Sequence, residues 1–267
     1  MAPFLAHFKK MVADQKFVLI GLVLFCFIFE MMFAWLFFES GIKKTVAAFI
    51  LRMPPSFTAF LGVQGGISQF FIQMLAFGYT HPIILICLAF FPISMPARYI
   101  SGEIELATFD LLLTKPVHRF VIPLSIFAFL VMALCLQTSA MVLGTLAGRY
   151  WFDLKAEMID YVRAALTGLC FFLSMGAISV FITAFQSEKA KAAGKTIGLM
   201  VLLYFFDTLV RLSTRLAGWS DFSYFQLYQP GKLVAQQASA IQCSGLSLLI
   251  AVLFLGAGLY RFCRRDL

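Results

Sequence analysis

Two acidic residues lie inside long apolar runs, where a charged side chain is costly and usually faces protein or water. They are Glu30, within the run 17–38, and Asp207, within the run that ends at Leu212. Asp207 precedes Arg211 by one helical turn, which predicts an ion pair. Glu30 has no local partner, so we expect a place on a translocation path, a hydrogen bond to another helix, or a protonated carboxyl. We take both acids as candidate translocation-path residues.

Other arrangements of chemically active residues are absent from the sequence. The histidines, His7, His81 and His118, are scattered, and no CxxC or Cys/His spacing predicts a metal site. Gly194-Lys195-Thr196 is similar to the end of a phosphate-binding loop, but Lys189 stands where its first glycine is required and no strand precedes it. We therefore expect a protein that is not an enzyme by itself and that binds no cofactor and no metal.

The composition indicates which elements must position these acids. Hydrophobic residues make up 61% of the sequence and charged residues 13%, against about half and about a quarter in soluble proteins. The net charge of +8 comes from small clusters that flank apolar runs, as anchoring to anionic lipid produces. We predict an all-α polytopic membrane protein, a single transmembrane domain over residues 1–267 that contacts membrane lipids and binds no nucleic acid.

Six apolar runs are long enough to cross a bilayer as helices. The predicted spans are 17–38, 80–98, 120–146, 161–185, 196–212 and 241–260. Residues 1–16 have one apolar face and predict a separate amphipathic helix in the membrane interface. Thr80 is predicted to cap the second span, whose first turn contains Pro82.

The polar segments 39–79 and 213–240 are predicted to lie outside the cytoplasm. The alternative for the first segment is a further crossing by residues 57–79, which would invert everything downstream. Lys and Arg side chains are densest in the short loops on the side of both termini, which predicts that both termini are cytoplasmic. Gly144 and Gly148 have the small-residue spacing of close helix packing, either within one molecule or between two copies.

Residues 98–119 form a charged, helix-prone connector between the second and third spans. Glu103 and Asp110 are seven residues apart and share a helical face, whereas Glu105 points roughly the other way. Pro116 stops the helix. The connector is either an interfacial helix with a solvated face or a docking helix for a cytoplasmic partner.

The connector resembles the motif that follows the second span in the ABC-2 family of ABC-transporter permeases. The matching positions are Arg98, Gly102, Glu103, Glu105, Thr108, Asp110, Leu111, Leu112, Leu113, Pro116, Val117 and Arg119. Ala107 departs from a usual glycine and His118 from a common serine; because Ala is the better helix former, the departure at Ala107 need not abolish docking. His81-Pro82 and the final Arg264-Arg265-Asp266-Leu267 are also similar.

This resemblance implies a permease subunit, paired as a homodimer, in the cell (inner) membrane of a prokaryote. Its connector would be a coupling helix seated on a cytoplasmic ABC ATPase subunit, which binds ATP and Mg²⁺ in place of this protein. The ATPase-coupling residues would be Arg98, Gly102, Glu103, Glu105, Thr108, Asp110, Pro116 and Arg119. Export, or extraction from the membrane, is the implied direction.

Two other functions stay open at this point. One is a secondary transporter or channel that needs no ATPase, although no internal repeat of the kind common in secondary transporters is evident. The other is a non-transporting subunit that transmits ATPase motion to an extracytoplasmic protein, for which the segments 39–79 and 213–240 offer contact area.

Overall fold

The computed structural model describes residues 2–38, 45, 48, 52–54, 75–107, 118–152, 157–213 and 215–265. Over these ranges the regular structure is entirely helical, and six helices are long and apolar enough to cross a membrane. The predicted all-α class is therefore confirmed, as is the prediction of six helices that are able to span a membrane. The alternative crossing by residues 57–79 falls almost entirely outside the described residues.

The six long helices occupy the predicted spans with bounds that differ by a few residues. They are α1 (Ala2–Phe38), α2 (Pro82–Pro96), α3 (Val121–Phe152), α4 (Met158–Thr183), α5 (Lys189–Leu212) and α6 (Ala240–Cys263). Apart from α1, the largest differences are at the end of α3, which continues through Arg149 to Phe152, and at the start of α5, which begins at Lys189. Helical hydrogen bonding therefore continues past the ends of the apolar runs.

The N-terminal segment is part of α1, which runs without interruption from Ala2 to Phe38. The sequence prediction of a separate interfacial helix over residues 1–16 is not confirmed. Pro3 lies in the first turn, where proline is tolerated, and the interior of the helix contains no proline that would break it. One helix therefore joins the first charged residues of the protein to the first apolar run.

The start and the end of α2 are set by prolines. His81, rather than the predicted Thr80, is the N-cap: its Nδ1 accepts a hydrogen bond from the amide of Ile83 at 3.3 Å, and Pro82 follows in the first turn. At the other end, Pro96 cannot donate the next helical hydrogen bond. The backbone continues as a π-helix, Ala97–Gly102, and one further turn, Glu103–Glu105.

Contacts between side chains assign the helix ends to two ends of the bundle. At the termini end, His7 contacts Ser125 at 2.6 Å, Tyr99 contacts Asp14 at 3.0 Å, and Arg265 contacts the loop between α4 and α5. The opposite end carries the segment between α5 and α6, residues 215–239, with short helices at Ala217–Phe222, Tyr224–Leu227 and Pro230–Val234. The start of α1 and Arg265, which follows α6, therefore lie at the same end of the bundle.

Burial is concentrated on α4, while α5 and α6 leave broad apolar faces uncovered. In the most apolar stretch of α4, 72% of the residues are buried, whereas in the corresponding stretch of α6 only 11% are buried. Gly144 and Gly148 lie against α1 within the same molecule, where a β-carbon would overlap the Phe27 carbonyl oxygen and the Ala34 side chain. The exposed apolar faces match a surface that meets lipid.

Candidate functional site

The first part of the connector, residues 97–107, is named the connector root. It is joined directly to the start of α5: the Oε2 atom of Glu105 accepts a hydrogen bond from the amide of Lys189 at 2.8 Å. Glu188, at the N-cap position of α5, makes no capping bond with its own side chain. A carboxylate from another element therefore caps α5, where it satisfies a free amide and faces the positive end of the helix dipole.

The loop between α4 and α5 holds the connector root through a shared carbonyl. The hydroxyl of Ser101 donates to the carbonyl oxygen of Gln186 at 3.1 Å, and Arg265 donates to the same oxygen at 2.9 Å. Arg265 also donates to the Ala184 carbonyl at 3.3 Å, and Arg119 donates to the Arg265 carbonyl at 2.6 Å. The connector root and the last turn of the protein are therefore fixed to one loop.

The connector root also contacts the first turns of α1. Glu103 lies 3.8 Å from the Lys10 ammonium, and the Tyr99 hydroxyl donates to the Asp14 carboxylate at 3.0 Å. Gly102 is buried near Lys189, whereas Arg98 is exposed with its guanidinium 5.5 Å from the centre of the Tyr99 ring. Acidic and aromatic side chains thus link α1 to the connector.

The connector root ends in a strained residue. Ala107 has φ 52°, in the left-handed region that residues with a β-carbon seldom adopt. The helix has already ended at Glu105, so the expectation that Ala107 acts through its helix propensity is wrong. The glycine that the resembling motif places here has a local physical reason, since glycine adopts this φ without a steric penalty.

The structure brings part of the predicted coupling set together. Arg98, Gly102, Glu103 and Glu105 form one continuous group, and Arg119 reaches it through Arg265. Thr108, Asp110 and Pro116 lie outside the described residues. Sequence reasoning missed Ser101 and Asp14, because their partners are a distant backbone carbonyl and a tyrosine that no local pattern indicates.

Asp207 is buried and paired at the opposite end of the bundle. The predicted ion pair is present, with 2.6 Å between the Arg211 guanidinium and the carboxylate of Asp207. The same carboxylate accepts hydrogen bonds from Ser223 at 2.5 Å and from Gln226 at 3.1 Å. Partial burial, together with the Arg211 charge, lowers the pKa of nearby Lys232. Asp207 therefore fastens the 215–239 segment to α5.

Two buried tyrosines dock the same segment on α4. The Tyr224 hydroxyl lies 2.7 Å from the Ser174 hydroxyl, and the Tyr228 hydroxyl donates to the carbonyl oxygen of Tyr79 at 3.1 Å. Gly168 makes room for the Tyr228 ring, since a β-carbon there would lie 2.8 Å from its Cε2 atom. Burial raises the pKa of both tyrosines, because the charged phenolate loses its water.

Glu30 is buried like Asp207, but its two carboxyl oxygens have no hydrogen-bond partner among the described residues. A β-carbon at Gly78 would lie 2.6 Å from Oε2 of Glu30, so the carboxyl rests on the backbone of residue 78. The sequence predicted an acid inside the first span. Its location against residues 78–79 depends on packing between distant segments.

No cluster of three or more His, Cys, Asp or Glu side chains suited to a metal ion occurs in the part of the protein that the structure describes. The comparisons with known proteins add no family: the sequence matches no model of a protein family and no curated protein sequence.

Proposed function

We propose that this protein is the transmembrane permease subunit of an ABC-2 type transporter. It moves or extracts a substrate across the cytoplasmic membrane with energy from ATP that a separate ATPase subunit hydrolyses. The observation that supports the proposal most directly is the attachment of the connector root. Residues 97–105 contact α1, the loop between α4 and α5, and the amide that begins α5.

This attachment is what a coupling element requires. A force applied to the connector reaches α1 through Tyr99 and Glu103 and reaches α5 through Glu105, without passing through a flexible linker. A π-helix, Ala97–Gly102, joins the connector to α2, and π-helical turns are often found at functional sites. The connector residues beyond Ala107, including Thr108 and Asp110, would then supply the surface that the ATPase contacts.

Affinity purification in mild detergent from the native host, followed by mass spectrometry, tests the proposal. We expect an ATP-binding protein to co-purify with the wild type and to be lost from Asp110→Arg. Asp221→Arg is the matched control, because Asp221 is exposed at the opposite end of the bundle and the charge change is the same. Asp110 is preferred over Glu103, whose reversal would also disturb Lys10.

A second candidate, an ATPase-independent proton-coupled transporter, is favoured by one observation, the buried carboxyl of Glu30. Acids at membrane depth often mark ion or proton pathways. The same purification separates the two candidates. If the wild type brings down no ATPase, or if Asp110→Arg retains it as fully as Asp221→Arg does, the permease proposal fails and the second candidate takes its place.

A further inference from the structure

The surroundings of Glu30 support an inference that does not depend on an ATPase partner. Its side chain is 0% exposed, and it forms neither a hydrogen bond nor an ion pair with a described residue. Its β-carbon lies 3.0 Å from where a β-carbon at Gly144 of α3 would be, and its carboxyl rests on Gly78. The carboxyl is therefore enclosed between α1, α3 and residues 75–80.

The hydroxyl protons of Tyr79 and Tyr228 are committed to other acceptors. Thr145 donates to the Met141 carbonyl at 3.1 Å, so the hydroxyl of Tyr79, 2.9 Å from that of Thr145, is the donor in their hydrogen bond. The Tyr228 hydroxyl donates to the Tyr79 carbonyl at 3.1 Å. Neither tyrosine therefore has a proton left to share with a carboxylate at position 30.

Among the described residues no cationic side chain contacts the Glu30 carboxyl; the ring of His81 packs on Phe29 instead. The ionisable groups that face Glu30 from other elements are Tyr79, Tyr161 of α4 and Tyr228 of the 215–239 segment; Cys26 lies on its own helix. All four are neutral when protonated. An ionised carboxylate that is fully buried and has no donor among the described residues is so unfavourable that the group takes up a proton instead.

We propose that Glu30 is a proton-binding site inside the bundle, and that Tyr228 separates it from water at the end opposite the termini. The ring of Tyr228 packs on Gly168 and its hydroxyl holds the Tyr79 carbonyl. When the 215–239 segment moves away, water reaches the carboxyl and stabilises its charged form, so the proton leaves. Proton release is thereby linked to the position of that segment.

Infrared spectroscopy of the full-length protein in phosphatidylcholine vesicles at neutral pH tests the proposal. We expect the carbonyl stretch of a protonated carboxylic acid, its loss in Glu30→Gln, and its retention in Asp207→Asn. In D₂O the band of the wild type should shift slowly. Tyr228→Ala should speed that shift at least about tenfold, because a lost hydrogen bond and lost ring packing favour opening.

Two further measurements keep the proposal testable if a variant folds poorly. A hydrophobic carbodiimide adds to protonated carboxyl groups, so the wild type should be labelled on the peptide that contains Glu30 and spared on the peptide that contains the ion-paired Asp207. Glu30→Gln, which resembles the protonated acid, should keep the wild-type Tm. A missing band, labelling that sodium or potassium ions suppress, or a large fall in Tm would show an ionised Glu30 and overturn the proposal.

Discussion

At the residue scale, Ala107 is a strained position at the end of the connector root. Its φ of 52° brings the alanine β-carbon close to the backbone, which costs about 1–2 kcal/mol per residue in the left-handed region. Glycine has no β-carbon and loses none of this energy, although it is more flexible in the unfolded state. The strain is local and lies directly before residues 108–119, which the permease proposal assigns to the ATPase.

We therefore expect Ala107→Gly to raise the Tm, with a gain in unfolding free energy of about 1 kcal/mol after the entropy of glycine is counted. Ala97→Gly is the matched control. Ala97 has φ −61° and ψ −40°, so the same substitution in a right-handed helical position should destabilise by about 1 kcal/mol. Thermal unfolding in detergent measures both, and a lower Tm for Ala107→Gly would contradict the strain.

At the element scale, two glycines show how the 215–239 segment is held against the helices. Gly168 of α4 is buried under the Tyr228 ring, whereas Gly194 of α5 is exposed, and no described atom lies within 4 Å of the place where its β-carbon would be. Both are interior helical positions, so the helix propensities are comparable. The difference between them is the contact with Tyr228.

Substitution of each glycine by alanine should therefore change stability in opposite directions. Gly194→Ala should stabilise by about 0.5–1 kcal/mol through helix propensity. Gly168→Ala should destabilise by about 1–3 kcal/mol, because the added methyl group must displace the Tyr228 ring. Thermal unfolding gives the sign, and faster proteolysis within residues 215–239 should accompany Gly168→Ala. Equal changes in Tm for the two variants would mean that the position of the Tyr228 ring does not depend on the space at Gly168.

The six long helices could be predicted from the sequence because each corresponds to a local apolar run. The Asp207–Arg211 pair could be predicted for the same reason, since both residues lie on one helix. The burial of Ser223, Tyr224 and Tyr228 could not, because they lie in a stretch that is polar, aromatic and rich in turns. Its burial depends on Ser223 meeting Asp207 and on Tyr228 meeting Gly168, and neither contact is local in the sequence.

At the scale of the whole molecule, the docking of residues 215–239 should respond to alkaline pH. Tyr224 and Tyr228 have a raised pKa in the folded protein, so above the ordinary tyrosine pKa of about 10 the unfolded state binds fewer protons than the folded one. The free energy of unfolding then falls as the pH rises. Below that value both states are neutral, and the two tyrosines add no pH dependence.

We expect the Tm to fall increasingly steeply between pH about 9 and about 11, and we expect Tyr228→Phe to make this fall shallower because one titrating hydroxyl is removed. At neutral pH the variant should lose about 1 kcal/mol, the value of its hydrogen bond to Tyr79. Thermal unfolding across this pH range is the measurement. An unchanged slope in Tyr228→Phe would exclude this hydroxyl as a contributor.

Because α1 is one continuous helix, it fixes the angle about its axis between Asp14, near the connector, and Glu30, inside the bundle. Asp14, which binds Tyr99, and Glu30 are separated by 16 residues of one helix, about 24 Å along its axis at 1.5 Å per residue. A single residue inserted between them would turn one region by about 100° relative to the other, whereas seven would nearly restore the original angle. The register of this helix, as much as its apolar character, therefore keeps the connector and the buried acid facing their partners together.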